Sequence, residues 1–140
     1  MELQVGVKAV LKNKEGKYLL LRRSRLKYPD FKGAWDIVGG RIDPGTTLLE
    51  NLKREVKEET SLDLNDEKLE LIAAQDILRI QGKHVVRLTY VGGEVSGEPT
   101  ITDEHEAYGW FTLDEIKQLG ENELDVYFKK LADEGLFDGR

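Results

Sequence analysis

The stretch from Gly40 to Leu62 reads G-R-I-D-P-G-T-T-L-L-E-N-L-K-R-E-V-K-E-E-T-S-L, and the rest of the chain is interpreted outward from it. Glu55, Glu58 and Glu59 stand at i, i+3 and i+4, a spacing that gathers three carboxylates on one side of a helix. Like charges at that spacing repel, so a solvated helix gains nothing from them. A hard divalent cation, which takes several oxygen ligands, converts the repulsion into a binding site. The other explanation is a charged outer face in a Lys-rich segment, and the three residues alone leave both open.

The helix itself is written in its neighbours. Thr47-Leu48-Leu49-Glu50 fits a capping box, so the spacing predicts a helix that starts near Thr47. Leu48, Leu49, Leu52 and Val56 then form an apolar stripe that fixes the helix to a sheet and leaves the glutamates on the adjoining side. Upstream, Gly33 to Gly40 is a short apolar segment that closes on two glycines, where bare backbone either approaches a ligand or makes a tight turn. Trp35 within it is expected to pack in the core rather than to stack on a base.

Gly39-Gly40, followed by Arg54-Glu55-Val56-Lys57-Glu58-Glu59 and the aliphatic Leu62, resembles the Nudix box of hydrolases that act on nucleoside diphosphates linked to another moiety. The family pattern runs Gly, five residues, Glu, seven residues, Arg-Glu-aliphatic-any-Glu-Glu-any-Gly-aliphatic, and from Gly40 the spacing to Arg54 fits without a gap. Thr46 stands where the family has Glu, and Ser61 where it has Gly. The first departure leaves Arg54 short of one partner. The second asks a residue with a side chain to end the helix in a left-handed conformation, at a cost on the order of 1 kcal/mol.

The resemblance covers essentially the whole chain and implies an α/β/α sandwich with a mixed curved β-sheet. It implies a metal-dependent pyrophosphohydrolase that replaces a group on phosphorus by water, on a substrate of the nucleoside triphosphate or nucleotide-sugar type. Glu55, Glu58 and Glu59, with Gly40, are the expected metal positions, for Mg²⁺ or alternatively Mn²⁺. Arg54 is expected to orient a glutamate. Gly39 and Gly40 are expected beside the substrate, and a loop acid, Glu104 first and Glu106 second, to supply a further ligand or the base. A Nudix domain that binds a nucleotide with weak or no turnover is the alternative, motivated by Thr46. Dimers are common in the family, so a homodimer is one expectation among others.

Composition bounds these readings. The chain has 140 residues, 39% hydrophobic and 34% charged, the make-up of one soluble domain spanning 1–140. No apolar run approaches the ~20 residues that span a bilayer, and the first residues lack the pattern of a signal peptide, so a cytoplasmic protein without membrane partners is expected. Zero Cys excludes disulfides and thiolate chemistry and leaves carboxylates and two His as metal ligands. A net charge of −6 argues against an extended nucleic-acid surface and leaves a small nucleotide as the expected partner. Locally the balance reverses: Arg22, Arg23, Arg25 and Lys27 crowd together, with Lys32 beyond, and Arg23 is taken as the candidate for phosphate contact.

Elsewhere the pattern predicts a hairpin, with Leu3 to Leu11 as one strand, a turn at Asn13-Lys14-Glu15-Gly16, and Tyr18 to Leu21 as a buried second strand. Arg22 to Lys32 is expected as a surface loop. Leu69 to Arg79 and His84 to Val91 read as strands joined around Gly82, with Arg79, His84 and Arg87 as surface charges. Gly92 to Glu106 is expected as a long loop before a last strand at Tyr108 to Phe111, and Leu113 to Leu119 and Leu124 to Leu131 as closing helices.

Overall fold

The structure, a computed structural model, describes residues 1–30 and 32–140; residue 31, inside the expected 22–32 loop, lies outside them. Among the described residues the chain forms seven strands, β1 (Glu2–Lys12), β2 (Tyr18–Arg23), β3 (Trp35–Asp36), β4 (Val38–Arg41), β5 (Glu70–Ile77), β6 (Lys83–Glu94) and β7 (His105–Phe111). Three helices accompany them, α1 (Leu48–Thr60), α2 (Leu113–Gln118) and α3 (Val126–Asp133). The strands make one mixed sheet in the order β3-β2-β1-β6-β5, with β4 also paired to β1 and β7 to β2.

The sheet departs from the expected hairpin in an instructive way. The turn forms: the Asn13 side chain accepts the N–H groups of Glu15 and Lys17, each at 3.0 Å, and Gly16 takes a φ of 77°. Beyond Lys12 and Tyr18, however, the two strands part. β1 pairs antiparallel with β4, from Gly6 opposite Arg41 to Ala9 opposite Val38, and parallel with β6 along nearly its whole length. Both backbone edges of β1 are therefore taken by strands that lie later in the sequence. β2 in turn is flanked by β3 and β7.

Side-chain alternation explains the layers. In the run Tyr18-Leu19-Leu20-Leu21, Leu19 and Leu21 join Val7, Ala9 and Leu11 against Leu52 and Val56 of α1. Tyr18 and Leu20 point the other way, against Ile116 of α2 and Phe128 and Ala132 of α3. A strand buried on both faces reads as an unbroken apolar run, and two such cores on opposite faces of one sheet are the α/β/α sandwich. Trp35 belongs to the second core, its ring edge-on to Phe111 at 5.2 Å, so the core reading of Trp35 holds.

Helix α1 starts where its cap predicts. Thr47 Oγ1 accepts the Glu50 N–H at 3.1 Å, the forward half of the box, while the full reciprocal box forms at Thr112 and Glu115 of α2. The apolar stripe is narrower than expected. Leu52 and Val56 are fully buried and Leu48 packs against them, but Leu49 is exposed, because it lies a quarter-turn round from the i, i+4, i+8 row. At the far end Ser61 adopts φ 63° and its N–H closes on Lys57 O at 2.9 Å. The long loop is shorter than expected, since β6 runs on to Glu94 and β7 begins at His105. Helix α3 begins two residues late: Asp125 caps it by accepting the Phe128 N–H at 2.9 Å, and Leu124 is buried ahead of it. Among the described residues no helix is long and apolar enough to cross a membrane.

Candidate functional site

Strand β4 brings bare backbone under the glutamate face of α1. At Gly39, with φ 148°, an added Cβ would stand 2.0 Å from Val7 O, so only glycine passes this close to β1. At Gly40 the obstacle is functional: a Cβ there would lie 2.6 Å from Glu55 Oε2, so the absence of a side chain is what seats that carboxylate. Glu59 reaches the same turn and accepts the Gly39 N–H at 3.1 Å. Burial pushes Glu59 up to about 7, against the opposing pull of Lys8 and of that N–H, and burial also raises Glu55, against Arg54. Both carboxyls thus sit where negative charge is under-compensated.

Arg54 does not lack a partner. Its Nη2 donates to Asn51 Oδ1 at 3.0 Å and lies 3.3 Å from Asp43 Oδ2, and its Nη1 stands 3.2 Å from both Glu55 Oε1 and Glu58 Oε2. Asn51, fully buried in the first turns of α1, also accepts the Asp43 N–H at 2.9 Å and donates to Thr46 Oγ1. Asp43 and Asn51 therefore fill the place that the missing glutamate at 46 leaves. Among the described residues no three acidic or histidine side chains are gathered around one point: Arg54 holds Glu58, and Gly39 holds Glu59.

Glu55, Glu58, Glu59, Gly39 and Gly40 form one end of a cavity of about 720 Å³. Arg23 at the end of β2, Tyr28 after it, Thr102 and Glu104 before β7 and His105 at its start line it on one side, and Ile77, Arg79, Ile80 and Val85, from the β5–β6 turn and the strand ends beside it, on another. Of the expected basic cluster only Arg23 lines it, with its guanidinium 4.9 Å over the Tyr28 ring. Arg22 and Arg25 pair with Glu106, at 3.5 and 3.0 Å, and Lys27 with Asp103 and Glu104, at 3.1 and 3.4 Å. These pairs clasp the two loops together. Glu106 is spent in that clasp, whereas Glu104 lines the cavity and accepts the Tyr28 hydroxyl at 2.6 Å, which with Lys27 holds it below the usual carboxylate range.

Two sets of residues escaped the sequence reading. His105 lines the cavity with its Nδ1 buried and unpartnered; burial and the nearby Lys8 and Arg23 push its pKa down to about 4. Arg87 is not surface decoration. It is buried, and its guanidinium bridges Asp36, at 3.0 Å, to Asp125, at 3.2 Å, while Lys8 stands 3.3 Å from Asp36. Burial opposes the Asp36 charge, but Arg87 and Lys8 hold that carboxyl far below its ordinary value. Of the other two expected surface charges, Arg79 lies 5.2 Å over the Tyr127 ring and His84 Nε2 lies 2.7 Å from Asp76 Oδ1.

The NUDIX domain family model matches residues 2–131. The chain belongs to this family. Its fold superposes on the MutT protein of Methanosarcina mazei with a TM-score of 0.77, at 28% identity over 95% of this chain and 92% of that one. It is 29% identical to an ADP-ribose pyrophosphatase of Methanocaldococcus jannaschii over 76% of this chain, and spans 60% of that relative's length. It is 31% identical to a putative 8-oxo-dGTP diphosphatase of Mycobacterium tuberculosis over 71% of this chain and 69% of the relative. The Nudix resemblance read from Arg54 to Glu59 and the mixed-sheet sandwich that it implied are both borne out.

Proposed function

We propose that this Nudix chain is a metal-dependent pyrophosphohydrolase that cleaves a nucleoside diphosphate linked to another moiety. The observation that carries the proposal is that Glu55, Glu58, Glu59, Gly39, Gly40, Arg23 and Glu104 all line one cavity large enough for a nucleotide. The relatives' printed names, pyrophosphatase and diphosphatase, support it. We take residues 1–140 as one such domain.

The donor set fits a hard cation. It is made of carboxylate oxygens and one backbone carbonyl, and burial, which raises Glu59, disfavours leaving its charge uncompensated. Glu55, Glu58 and Glu59, with the Gly40 carbonyl, would hold Mg²⁺ or Mn²⁺, which when bound supplies charge neutralisation at phosphate oxygens and a lowered pKa for water. Arg54 holds Glu58 until it is needed and keeps Glu55 aimed at Gly40. Arg23 offers its guanidinium to a phosphate. Glu104 takes a proton at its carboxylate once the Tyr28 hydroxyl lets go, and the apolar wall of Ile77, Ile80 and Val85 excludes water from the rest of the substrate.

The test is phosphate or pyrophosphate release, with Mg²⁺ and with EDTA, across nucleoside triphosphates, oxidised nucleotides, ADP-ribose, sugar nucleotides and dinucleoside polyphosphates. Metal-dependent turnover of one compound well above the others is expected. The second reading, binding with weak turnover, is favoured by the tie between Glu58 and Arg54. A flat panel with metal binding intact would select it, and a large gain in rate from Thr46→Glu would then explain it.

A further inference from the structure

Lys8 is not singled out by any motif. It lies in β1 directly opposite Gly39 of β4, and it lines the cavity. Its ammonium donates to Ile37 O at 3.2 Å and to Gly39 O at 3.5 Å, and stands 3.3 Å from Asp36 Oδ2. An ammonium has three donors and no acceptor. Two of them go to those carbonyls and the ammonium is ion-paired with Asp36, so Lys8 is held by the Asp36–Gly39 stretch. Its side chain is 17% exposed and stays where the backbone of β4 fixes it.

Gly39 joins this lysine to the glutamates. Its carbonyl accepts from Lys8 while its N–H donates to Glu59 at 3.1 Å. The Lys8 charge acts on Glu55 and Glu59 as well as on Asp36. A fixed cation is therefore joined to Glu59 through Gly39 and paired as well with Asp36 of the buried Asp36–Arg87–Asp125 network.

We propose that Lys8 is a positioning residue that acts as the built-in counter-cation of the glutamate site, steadying it without metal and setting how tightly Glu55, Glu58 and Glu59 hold a divalent ion. This rests on the reading of those glutamates as metal ligands. Attraction between the carboxylates and an incoming ion is opposed by the repulsion between that ion and the ammonium, and partly buried charges on the wall of a cavity are screened less than exposed ones. Lys8 thus lowers metal affinity, although the residue itself makes the apo site more orderly.

A purely structural lysine predicts the opposite sign. If Lys8 only held the Ile37 and Gly39 carbonyls in place, its removal would loosen the site and weaken metal binding. The experiment is a titration of the metal-free full chain with Mn²⁺, free Mn²⁺ being read by electron paramagnetic resonance with no nucleotide present, for wild type, Lys8→Met and Lys8→Arg. Lys8→Met is expected to bind Mn²⁺ about tenfold tighter or more, and Lys8→Arg, which keeps the charge, within about threefold of wild type. Equal or weaker binding by folded Lys8→Met overturns the proposal. Circular dichroism reports the fold; if the Met variant unfolds, Lys8→Gln, which is neutral and keeps a polar N–H donor, carries the same expectation and the same refutation. Mn²⁺ bound by wild type but not more tightly by the neutral variants removes the Lys8 role and leaves the metal reading standing. Failure of wild type and the neutral variants alike to bind Mn²⁺ overturns both.

Discussion

Two charged clusters meet at Lys8, and they differ in how their charge is balanced. On one side Glu55 and Glu58 share Arg54 while Glu59 is held by a backbone N–H, and burial lifts Glu55 and Glu59 toward protonation. On the other side Asp36 and Asp125 clasp Arg87, with Lys8 completing the set, so two anions face two cations in a buried space. The balanced cluster needs nothing more. It ties β3 and β6 to the cap of α3 and acts as a part of the scaffold. Both clusters line the cavity, but only the unbalanced one has charge to spare for a ligand. Charge deficit, more than the presence of acids, is what separates a candidate site from an internal brace.

The largest expected effect breaks the brace. Arg87→Met leaves Asp125 without its counter-ion and Asp36 with Lys8 alone, and breaking a buried pair in this way costs about 3–5 kcal/mol. At about 2–4 °C per kcal/mol for a chain of this size, the melting temperature should fall by roughly 10 °C or more. A variant that melts within a degree or two of wild type would show that the cluster is not a brace. Adding Asp36→Asn and Asp125→Asn to Arg87→Met sharpens the point, since removing both buried carboxylate charges along with the guanidinium should recover part of the loss.

The same kind of change on the unbalanced side should do the reverse. Glu58→Gln removes one of several like charges at helical spacing, so the melting temperature should hold or rise slightly. Turnover should fall on the order of 100-fold or more, because a metal position is lost. Near-wild-type turnover in a folded Glu58→Gln variant would sink the metal assignment. An intermediate case is Asn51→Ala, which strips Arg54 and the Asp43 N–H of a buried partner. It should cost about 1–3 kcal/mol of stability and lower turnover by less than Glu58→Gln does; unchanged stability would mean that water replaces the amide.

These clusters also mark what a sequence discloses. The box helix was legible because its signals are local: Thr47 as cap, the glutamate spacing, and two glycines under the helix all lie within a short span of chain. The brace was not, because Asp36 and Arg87 are 51 residues apart and each, seen alone, has the polarity of a surface residue. The partners of β1 were hidden for the same reason, since β6 meets it from far along the chain and nothing in Leu3 to Leu11 specifies a parallel neighbour. Within the basic cluster nothing local marks Arg22, Arg25 and Lys27 as paired; the fold sets Asp103, Glu104 and Glu106 beside them. Leu49 misled in a smaller way, as an apolar residue beside the buried row that faces outward.

The smallest expected effect lies at Ser61, where the sequence departs from the family and the backbone does not. Its φ of 63° is the left-handed value that glycine takes without strain, and its N–H makes the same closing bond to Lys57 O that a glycine there would make. Ser61→Gly therefore removes a strain on the order of 1 kcal/mol and gives back part of that gain as greater freedom of the unfolded chain. The net expectation is a rise in melting temperature of about 1–3 °C, with turnover unchanged because Ser61 does not line the cavity. A fall in stability would show that the serine makes a compensating contact in solution. A change in turnover without one in stability would mean instead that the end of α1 moves during the reaction, and that the glutamate face is less rigid than the seat of Glu55 on Gly40 implies.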